Sequence, residues 1–119
     1  IYASKVLYAK KSLNKNFLIV DGGMHHNYLL AGGMGQVIKR NFEMDALVRN
    51  PDIMSISKIK YNVAGCLCTP QDILALDFEY PGTISPGDYI VFFNAGAYGY
   101  TASPVFFLNH SLPDEVIIT

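Results

Sequence analysis

The residues of this sequence that could do chemistry lie in two short stretches. In the first, residues 65–72, Cys68 is followed four positions later by Asp72, a spacing that one helical turn would bring together. In the second, residues 96–99, small residues flank Tyr98 and would let a ligand approach the backbone closely. A thiol in a suitable environment can transfer a proton. The two stretches therefore predict part of an active site.

Each of these features also has a purely structural interpretation. Free cysteines are among the most buried residue types, and a tyrosine after an apolar run can serve a core or an interface. The Cys66-x-Cys68 spacing and the adjacent His25 and His26 do not match the usual zinc ligand patterns, so no metal site is predicted. The glycines of residues 21–23 lack a phosphate-loop pattern and predict a tight turn.

Composition limits the class of protein and its partners. The chain has 119 residues and a net charge of -1, and 50% of its residues are hydrophobic, which is typical of one globular domain. Without a basic surplus, neither nucleic acid nor a membrane is expected as a partner. No apolar run approaches the roughly 20 residues that span a bilayer. Free thiols and the absence of a signal peptide favour the cytoplasm, and Ile1 indicates a piece of a longer protein.

Short apolar runs separated by Gly and Pro predict a mainly β fold for residues 1–119, a single barrel or sandwich with one or two short helices. Strands are predicted over residues 2–10, 17–20, 36–40, 45–49, 59–64, 78–80, 89–94 and 116–118, and short helices over 24–30 and 73–76. The predicted core contains Val6, Leu18, Val20, Val63, Ile90, Phe92, Phe106 and Ile117.

Three motifs in the same order, Val20–His26, Gly65–Asp72 and Gly96–Gly99, resemble one known family. They are similar to the C-terminal domain of the fold-type III pyridoxal-phosphate decarboxylases, which include ornithine, diaminopimelate and arginine decarboxylases. The Asp-Gly-Gly-Met-His-His and Cys-Thr-Pro segments resemble a branch with exosortase-associated and antibiotic-pathway enzymes. One enzyme of that branch, in butirosin synthesis, acts on a glutamyl group tethered to an acyl carrier protein.

The resemblance implies a Greek-key-like β domain that closes an active site shared across a head-to-tail homodimer. It implies pyridoxal 5'-phosphate as the cofactor, with its Schiff-base lysine on a TIM barrel outside this chain. Cys68 matches the cysteine that protonates the substrate carbon, and Tyr98 matches the tyrosine at the cofactor phosphate. Asp72 matches an acidic residue near the subunit interface. The chain alone is therefore expected to be inactive.

Departures from the family pattern concern the substrate. Thr69 occupies the position after the cysteine, where the family usually has an acidic residue. Leu29-Leu30 stands roughly where diaminopimelate enzymes have Arg-Pro. These changes imply an amino-acid substrate without a distal charge, or one tethered to an acyl carrier protein. A proline usual in the family is replaced by Cys66, which is interpreted as a packing change. The alternative function is a β-rich binding or assembly module without a catalytic role.

Overall fold

A computed structural model describes residues 1–51 and 57–119, and six strands of the described residues form one sheet. The strands are β1 (Tyr2–Ser12), β2 (Lys15–Val20), β3 (Met44–Leu47), β4 (Ile59–Ala64), β5 (Ile73–Tyr80) and β6 (Tyr89–Phe92). The helical segments are short: α1 (Tyr98–Thr101) and single 3₁₀ turns at Tyr28–Ala31 and Phe107–Asn109. The sheet is barrel-like, which confirms the predicted mainly β class.

The long strand β1 connects the two halves of the sheet, whose order is β3-β6-β1-β2-β4-β5. Its first residues pair with β6 and the rest pair with β2, both antiparallel. The register with β2 shifts between Val6 and Tyr8, a bulge-like irregularity of the kind that bends a strand. The turn between β1 and β2 places Leu13 and Asn14 at positive φ. The bend lets one strand serve both halves.

The strands β2 and β4 are paired in parallel, from Asn16 opposite Tyr61 to Ile19 opposite Ala64. Parallel strands end at the same edge of a sheet, so the segments after Val20 and after Ala64 leave it side by side. The backbone N–H of Cys66 donates to the carbonyl of Gly22 across 2.8 Å, which joins the two segments directly. This pairing brings the first two sequence motifs together.

Six of the eight predicted core residues are buried, but Phe106 and Ile117 are 79% and 89% exposed. The predicted strand at 116–118 is wrong as well, because no described strand edge pairs with this part of the chain and it runs along the surface. The predicted strand at 36–40 is also wrong, because residues 37 and 38 form a bend and the rest of this stretch is irregular.

The residues Ile73 to Leu76 form the start of β5 rather than the predicted helix, because they pair with β4 through Val63 opposite Ala75. The predicted helix at 24–30 is reduced to the 3₁₀ turn at Tyr28–Ala31. It ends where Gly32 adopts a φ of +88°, a conformation that glycine reaches without steric cost.

Candidate active site

The turn after β2 is fixed to β1 by the side chains of Asp21 and Ser4. Oδ1 of Asp21 accepts hydrogen bonds from Oγ of Ser4 at 2.7 Å and from the backbone N–H of Lys5 at 2.8 Å. The N–H of Gly22 donates to Oγ of Ser4 at 2.8 Å. A Cβ on Gly22 would lie 1.8 Å from the hydroxyl oxygen of Tyr2, so a side chain at this position does not fit.

The carboxylate of Asp72 lies between the loops that follow β2 and β4. Oδ1 accepts from the backbone N–H of Met24 at 2.7 Å, and Oδ2 accepts from that of Leu67 at 2.9 Å. A Cβ on Gly23 or Gly65 would lie 2.6 or 2.1 Å from Oδ2, so only glycine fits on either side of the carboxylate. Burial raises the pKa of Asp72, while the two N–H groups act in the opposite direction.

The loop 65–72 differs from the helical turn expected for the Cys68–Asp72 spacing. It is a series of bends and turns, closed by a hydrogen bond from the N–H of Gly65 to the carbonyl of Asp72 at 2.9 Å. The Asp72 carboxylate therefore bonds the N–H of Leu67, one residue before Cys68. Its position is set by the pairing of the two loops rather than by helical periodicity.

The two cysteines of this loop have different surroundings. Cys68 is exposed, whereas Cys66 is half-buried with its Sγ 3.8 Å from Nδ1 of His110. Burial raises the pKa of the Cys66 thiol, and the charge of Asp72 adds to that effect. The hydroxyl of Thr69 accepts a long hydrogen bond from the N–H of Gln71 at 3.4 Å. Cys68 is thus the accessible thiol of this chain.

Three histidines lie together beside the turn after β2. The ring centroid of His25 is 3.9 Å from that of His26 and 5.6 Å from that of His110. Residues 24–26 form a turn, and this conformation places the two adjacent rings together. His25 is fully buried, its ring nitrogens have no hydrogen-bond partner in the described parts of the chain, and burial lowers its pKa to about 4.

The tautomer of His26 follows from its two partners. Its Nε2 lies 2.8 Å from the carbonyl of Ser111, which can only accept, so Nε2 carries the proton. In the neutral ring, Nδ1 then accepts from the hydroxyl of Tyr2 at 3.1 Å. Burial raises the pKa of Tyr2, so its hydroxyl stays protonated and can donate to His26. The contact fixes the irregular segment after residue 109 against the start of β1.

Within residues 1–51 and 57–119, no group of three or more His, Cys, Asp or Glu side chains is placed to hold a metal ion. The same residues contain no helix that is both long and apolar enough to cross a membrane.

The exposed side chain of Tyr98 begins α1 and follows Gly96, which has a φ of +65°. The short helix is held by Ser103, whose Oγ donates to the carbonyl of Gly99 and accepts from the N–H of Tyr28. A Cβ on Gly99 would lie 3.3 Å from Nδ2 of Asn27, so this backbone packs closely against the segment after β2. The segment after β2 therefore contacts both the loop of residues 65–72, which carries the cysteines, and the stretch of residues 96–103, which carries Tyr98.

A cavity of about 230 Å³ beside α1 is lined by Asn27, Gly96 and Gly99, and also by Asp114 and Glu115. Asn27 is buried, and both polar atoms of its amide lack a partner in the described part of the protein. A phosphate needs donors, and the unpartnered amide of Asn27 can supply one. The two acidic residues oppose an anion, and no Lys or Arg lines the cavity. These residues therefore fit one edge of a phosphate, and most of its charge must be compensated elsewhere.

Residues 1–96 match the family described as "Pyridoxal-dependent decarboxylase, C-terminal sheet domain". The chain belongs to this family. The resemblance drawn from the motifs is therefore confirmed, together with pyridoxal phosphate as the cofactor of the family. Membership favours part of an enzyme over a binding module without a catalytic role.

Individual relatives are similar over nearly the whole chain. It is 39% identical over 117 residues to "L-glutamyl-[BtrI acyl-carrier protein] decarboxylase" from Niallia circulans, covering 98% of this chain and 27% of that protein. It is 33% identical over 121 residues to the Staphylococcus aureus "2-[(L-alanin-3-ylcarbamoyl)methyl]-2-hydroxybutanedioate decarboxylase", covering 99% of this chain and 29% of that protein. The crystal structure of Helicobacter pylori diaminopimelate decarboxylase complexed with L-lysine matches with a TM-score of 0.63 and 30% identity, over 85% of this chain and 22% of that one. The chain thus spans about a quarter of these proteins.

The roles of Cys68, Thr69, Asp72 and Tyr98 stay predictions. Two features of the site were missed from the sequence. His110 lies in a polar stretch that carries no sign of a contact, yet its exposed ring lies against the thiol of Cys66. Asn27 was not singled out, because an isolated Asn in a turn-rich segment carries no sign that its amide is buried.

Proposed function

We propose that this chain is the C-terminal sheet domain of a two-domain pyridoxal-phosphate-dependent amino-acid decarboxylase. In this proposal a barrel domain outside residues 1–119 supplies the lysine that holds the cofactor. The active site is shared across a head-to-tail homodimer, to which this chain contributes Cys68 and Tyr98. The observation that carries the proposal is an exposed Cys68 on a loop braced by buried hydrogen bonds, in a chain of the decarboxylase family.

The proposed role of Cys68 is to donate one proton to the substrate carbon that has lost carbon dioxide. When bound, pyridoxal phosphate draws electrons away from that carbon. An ordinary cysteine thiol is mostly protonated at pH 7, so it can act as a general acid if it is held close to the carbon. The proton moves from Sγ to carbon, and the thiolate takes its next proton from solvent.

The proposed role of Tyr98 is to donate a hydrogen bond to the cofactor phosphate. Its phenol is exposed at the start of α1, and the small residues on either side leave room for a bulky anion. The hydroxyl adds a donor but no positive charge. We therefore assign the neutralisation of the phosphate to residues outside this chain.

The substrate proposed for the enzyme is an amino acid whose distal end carries no charge, including one tethered to an acyl carrier protein. Thr69 offers a hydroxyl in place of a carboxylate, so it cannot pair with a distal ammonium. Leu29 and Leu30 are apolar, so neither can pair with a distal carboxylate. Leu30 is buried in the core and Leu29 is half-buried. The relative from Niallia circulans is named for a glutamyl group on a carrier protein, which agrees with this class of substrate.

The two free cysteines agree with a reducing compartment, and we place the enzyme in the cytoplasm. The association of this chain with its own barrel domain and with a second subunit belongs to the same proposal. Several apolar side chains outside the core are available for such contacts, including Val37, Ile38 and Val116, which are 98%, 69% and 78% exposed.

The test compares Cys68→Ala with Cys66→Ala in the full-length enzyme, measuring release of carbon dioxide with pyridoxal phosphate present. Removing a general acid typically costs roughly 10²–10⁴ in rate, so Cys68→Ala should lower kcat by that factor. Cys66→Ala removes a similar side chain two positions away and should keep kcat within about threefold, since we assign it no proton transfer. Wild-type turnover in Cys68→Ala, or the large loss in Cys66→Ala instead, would refute the proposal.

A further inference from the structure

We infer that Asp72 is a positioning residue for Cys68. Its carboxylate fixes the loop 65–72 to the loop that follows β2 and thereby sets the place of the thiol. This inference rests on the proposed function, because it takes Cys68 as the proton donor. It gives Asp72 a role inside this chain, which differs from that of an acidic residue paired across a subunit interface.

The first observation is the way the carboxylate is enclosed. Asp72 is 2% exposed, and each of its oxygens accepts a backbone N–H, from Met24 on one loop and from Leu67 on the other. Each carboxylate oxygen can accept a second hydrogen bond, but burial within this chain leaves little access for a cation from another subunit. Lys39 lies near enough for the charge of Asp72 to raise its pKa against the lowering effect of burial, but its amine donates to the carbonyl of Ile73.

The second observation is that the sequence makes room for this carboxylate on both sides. Gly23 and Gly65 belong to different loops, and a Cβ on either would lie within 2.6 Å of the carboxylate. Burying a carboxylate costs free energy unless its hydrogen bonds are complete. The arrangement therefore offsets that cost locally and uses the charge to join two loops.

The third observation is how the backbone around Cys68 is held. On one side, the N–H of Leu67 donates to Oδ2 of Asp72. On the other, the N–H of Thr69 donates to the carbonyl of Leu67 at 2.9 Å, and the N–H of Asp72 donates to the carbonyl of Thr69 at 3.2 Å. Both neighbours of Cys68 are thus fixed, while its thiol is exposed. A proton donor needs this combination, because a misplacement of about 1 Å can cost on the order of 10²-fold in rate.

Three substitutions in the full-length enzyme test the inference. Asp72→Asn keeps the size of the side chain but replaces one acceptor oxygen with an NH₂ that would face a backbone donor. Asp72→Glu keeps the charge but lengthens the side chain in a space closed by Gly23 and Gly65. Asp77→Asn is the matched control, because Asp77 is exposed on β5 and only five positions away.

We expect Asp72→Asn to lower kcat at least tenfold, with KM and cofactor content within about twofold of wild type and Asp77→Asn unaffected. In the Cys68→Ala background, Asp72→Asn should lower kcat less than twofold further, since residues that act as a unit are not additive. Asp72→Glu should not restore kcat. Restoration by Glu would instead show that the charge alone matters, as in a pair across the interface.

Equal losses in the wild-type and Cys68→Ala backgrounds would overturn the inference, as would an unchanged kcat in Asp72→Asn. Wild-type turnover in Cys68→Ala alone would overturn the proposed function instead. If neither Asp72 variant folds, hydrogen exchange of the wild-type enzyme still tests whether the two backbone donors to Asp72 are held in place. The amides of Met24 and Leu67 should exchange at least 100-fold more slowly than unprotected amides, and unprotected exchange at either would refute the inference.

Discussion

The Sγ of Cys66 lies 3.8 Å from Nδ1 of His110, so the thiol with a histidine neighbour is not the exposed thiol of Cys68. The contact joins the cysteine loop to the irregular segment at the end of the chain. It gives Cys66 an imidazole neighbour, and burial raises the pKa of the Cys66 thiol. The loop thus carries two thiols in different surroundings, one half-buried beside an imidazole and one exposed.

Replacing Tyr98 by Phe should weaken cofactor binding by about 0.5–3 kcal/mol, the usual range for a hydrogen bond that includes one to a charged group. Titration of the full-length apoenzyme with pyridoxal phosphate, followed by visible absorbance, measures this change. Tyr8→Phe is the matched control, because Tyr8 is 66% exposed and Tyr98 is 68% exposed. Equal affinities for the Tyr98 and Tyr8 variants would contradict the assigned role.

The lysine that holds the cofactor should lie outside residues 1–119. The lysines of this chain are exposed except Lys39, whose amine donates to the carbonyl of Ile73. Borohydride reduction of the full-length holoenzyme, followed by peptide mapping, should find the pyridoxyl group on a peptide from the other domain. A stoichiometric adduct on Lys39 would show that burial, which lowers the pKa of its amine, prepares it for the cofactor.

Free ornithine, lysine and diaminopimelate should be poor substrates of the full-length enzyme. Thr69 cannot compensate a distal ammonium, and an unpaired charge in a closed site is strongly unfavourable. The assay compares carbon dioxide release from these three with release from glutamate attached to a carrier protein. A kcat/KM above about 10⁴ M⁻¹s⁻¹, the low end of ordinary enzymes, for ornithine or diaminopimelate would contradict the argument from Thr69.

The buried His25 should make the protein less stable in mild acid. Its pKa is lowered from 6.5 to about 4, so between these values the unfolded chain binds more protons and stability falls as the pH falls. We expect a loss on the order of 2 kcal/mol across this window, which His25→Phe should abolish because Phe binds no proton.

Urea unfolding of full-length wild type and His25→Phe from pH 7 to pH 4 measures the effect, since contributions common to both proteins cancel in the difference. His110→Gln serves as the control, because its imidazole is exposed. It should retain most of the acid sensitivity, since burial is the largest cause of the shift at His25. A difference between wild type and His25→Phe that does not vary with pH would refute the assignment.

The sequence predicted those strands whose own pattern is decisive. The bounds of β4, Ile59–Ala64, agree with the prediction. The run Ile73 to Leu76 was assigned to a helix because four apolar residues have no period, and only pairing with β4 makes them a strand. The run Val116 to Ile118 has high β propensity, but propensity alone does not make a strand without a partner edge.

The candidate site was predicted by motif rather than by geometry. The motifs singled out Cys68 and Tyr98, and both side chains are exposed, the first on a loop and the second on a short helix. The burial of Asp72 between Gly23 and Gly65 depends on which strands are neighbours, and that pairing leaves no mark on either segment alone. For the same reason the contact between Cys66 and His110 could not be anticipated.

The parallel pairing of β2 with β4 has a consequence for the order in which the domain folds. It joins residues about 45 positions apart, such as Asn16 and Tyr61, whereas β1 with β2 and β4 with β5 close over much shorter separations. Pairings of high sequence separation pay their loop-closure entropy first and form slowly. The carboxylate of Asp72 can meet the N–H of Met24 only after that pairing. A nascent chain would therefore form its hairpins before its cysteine loop is in place, and Cys68 would reach its final position only after them.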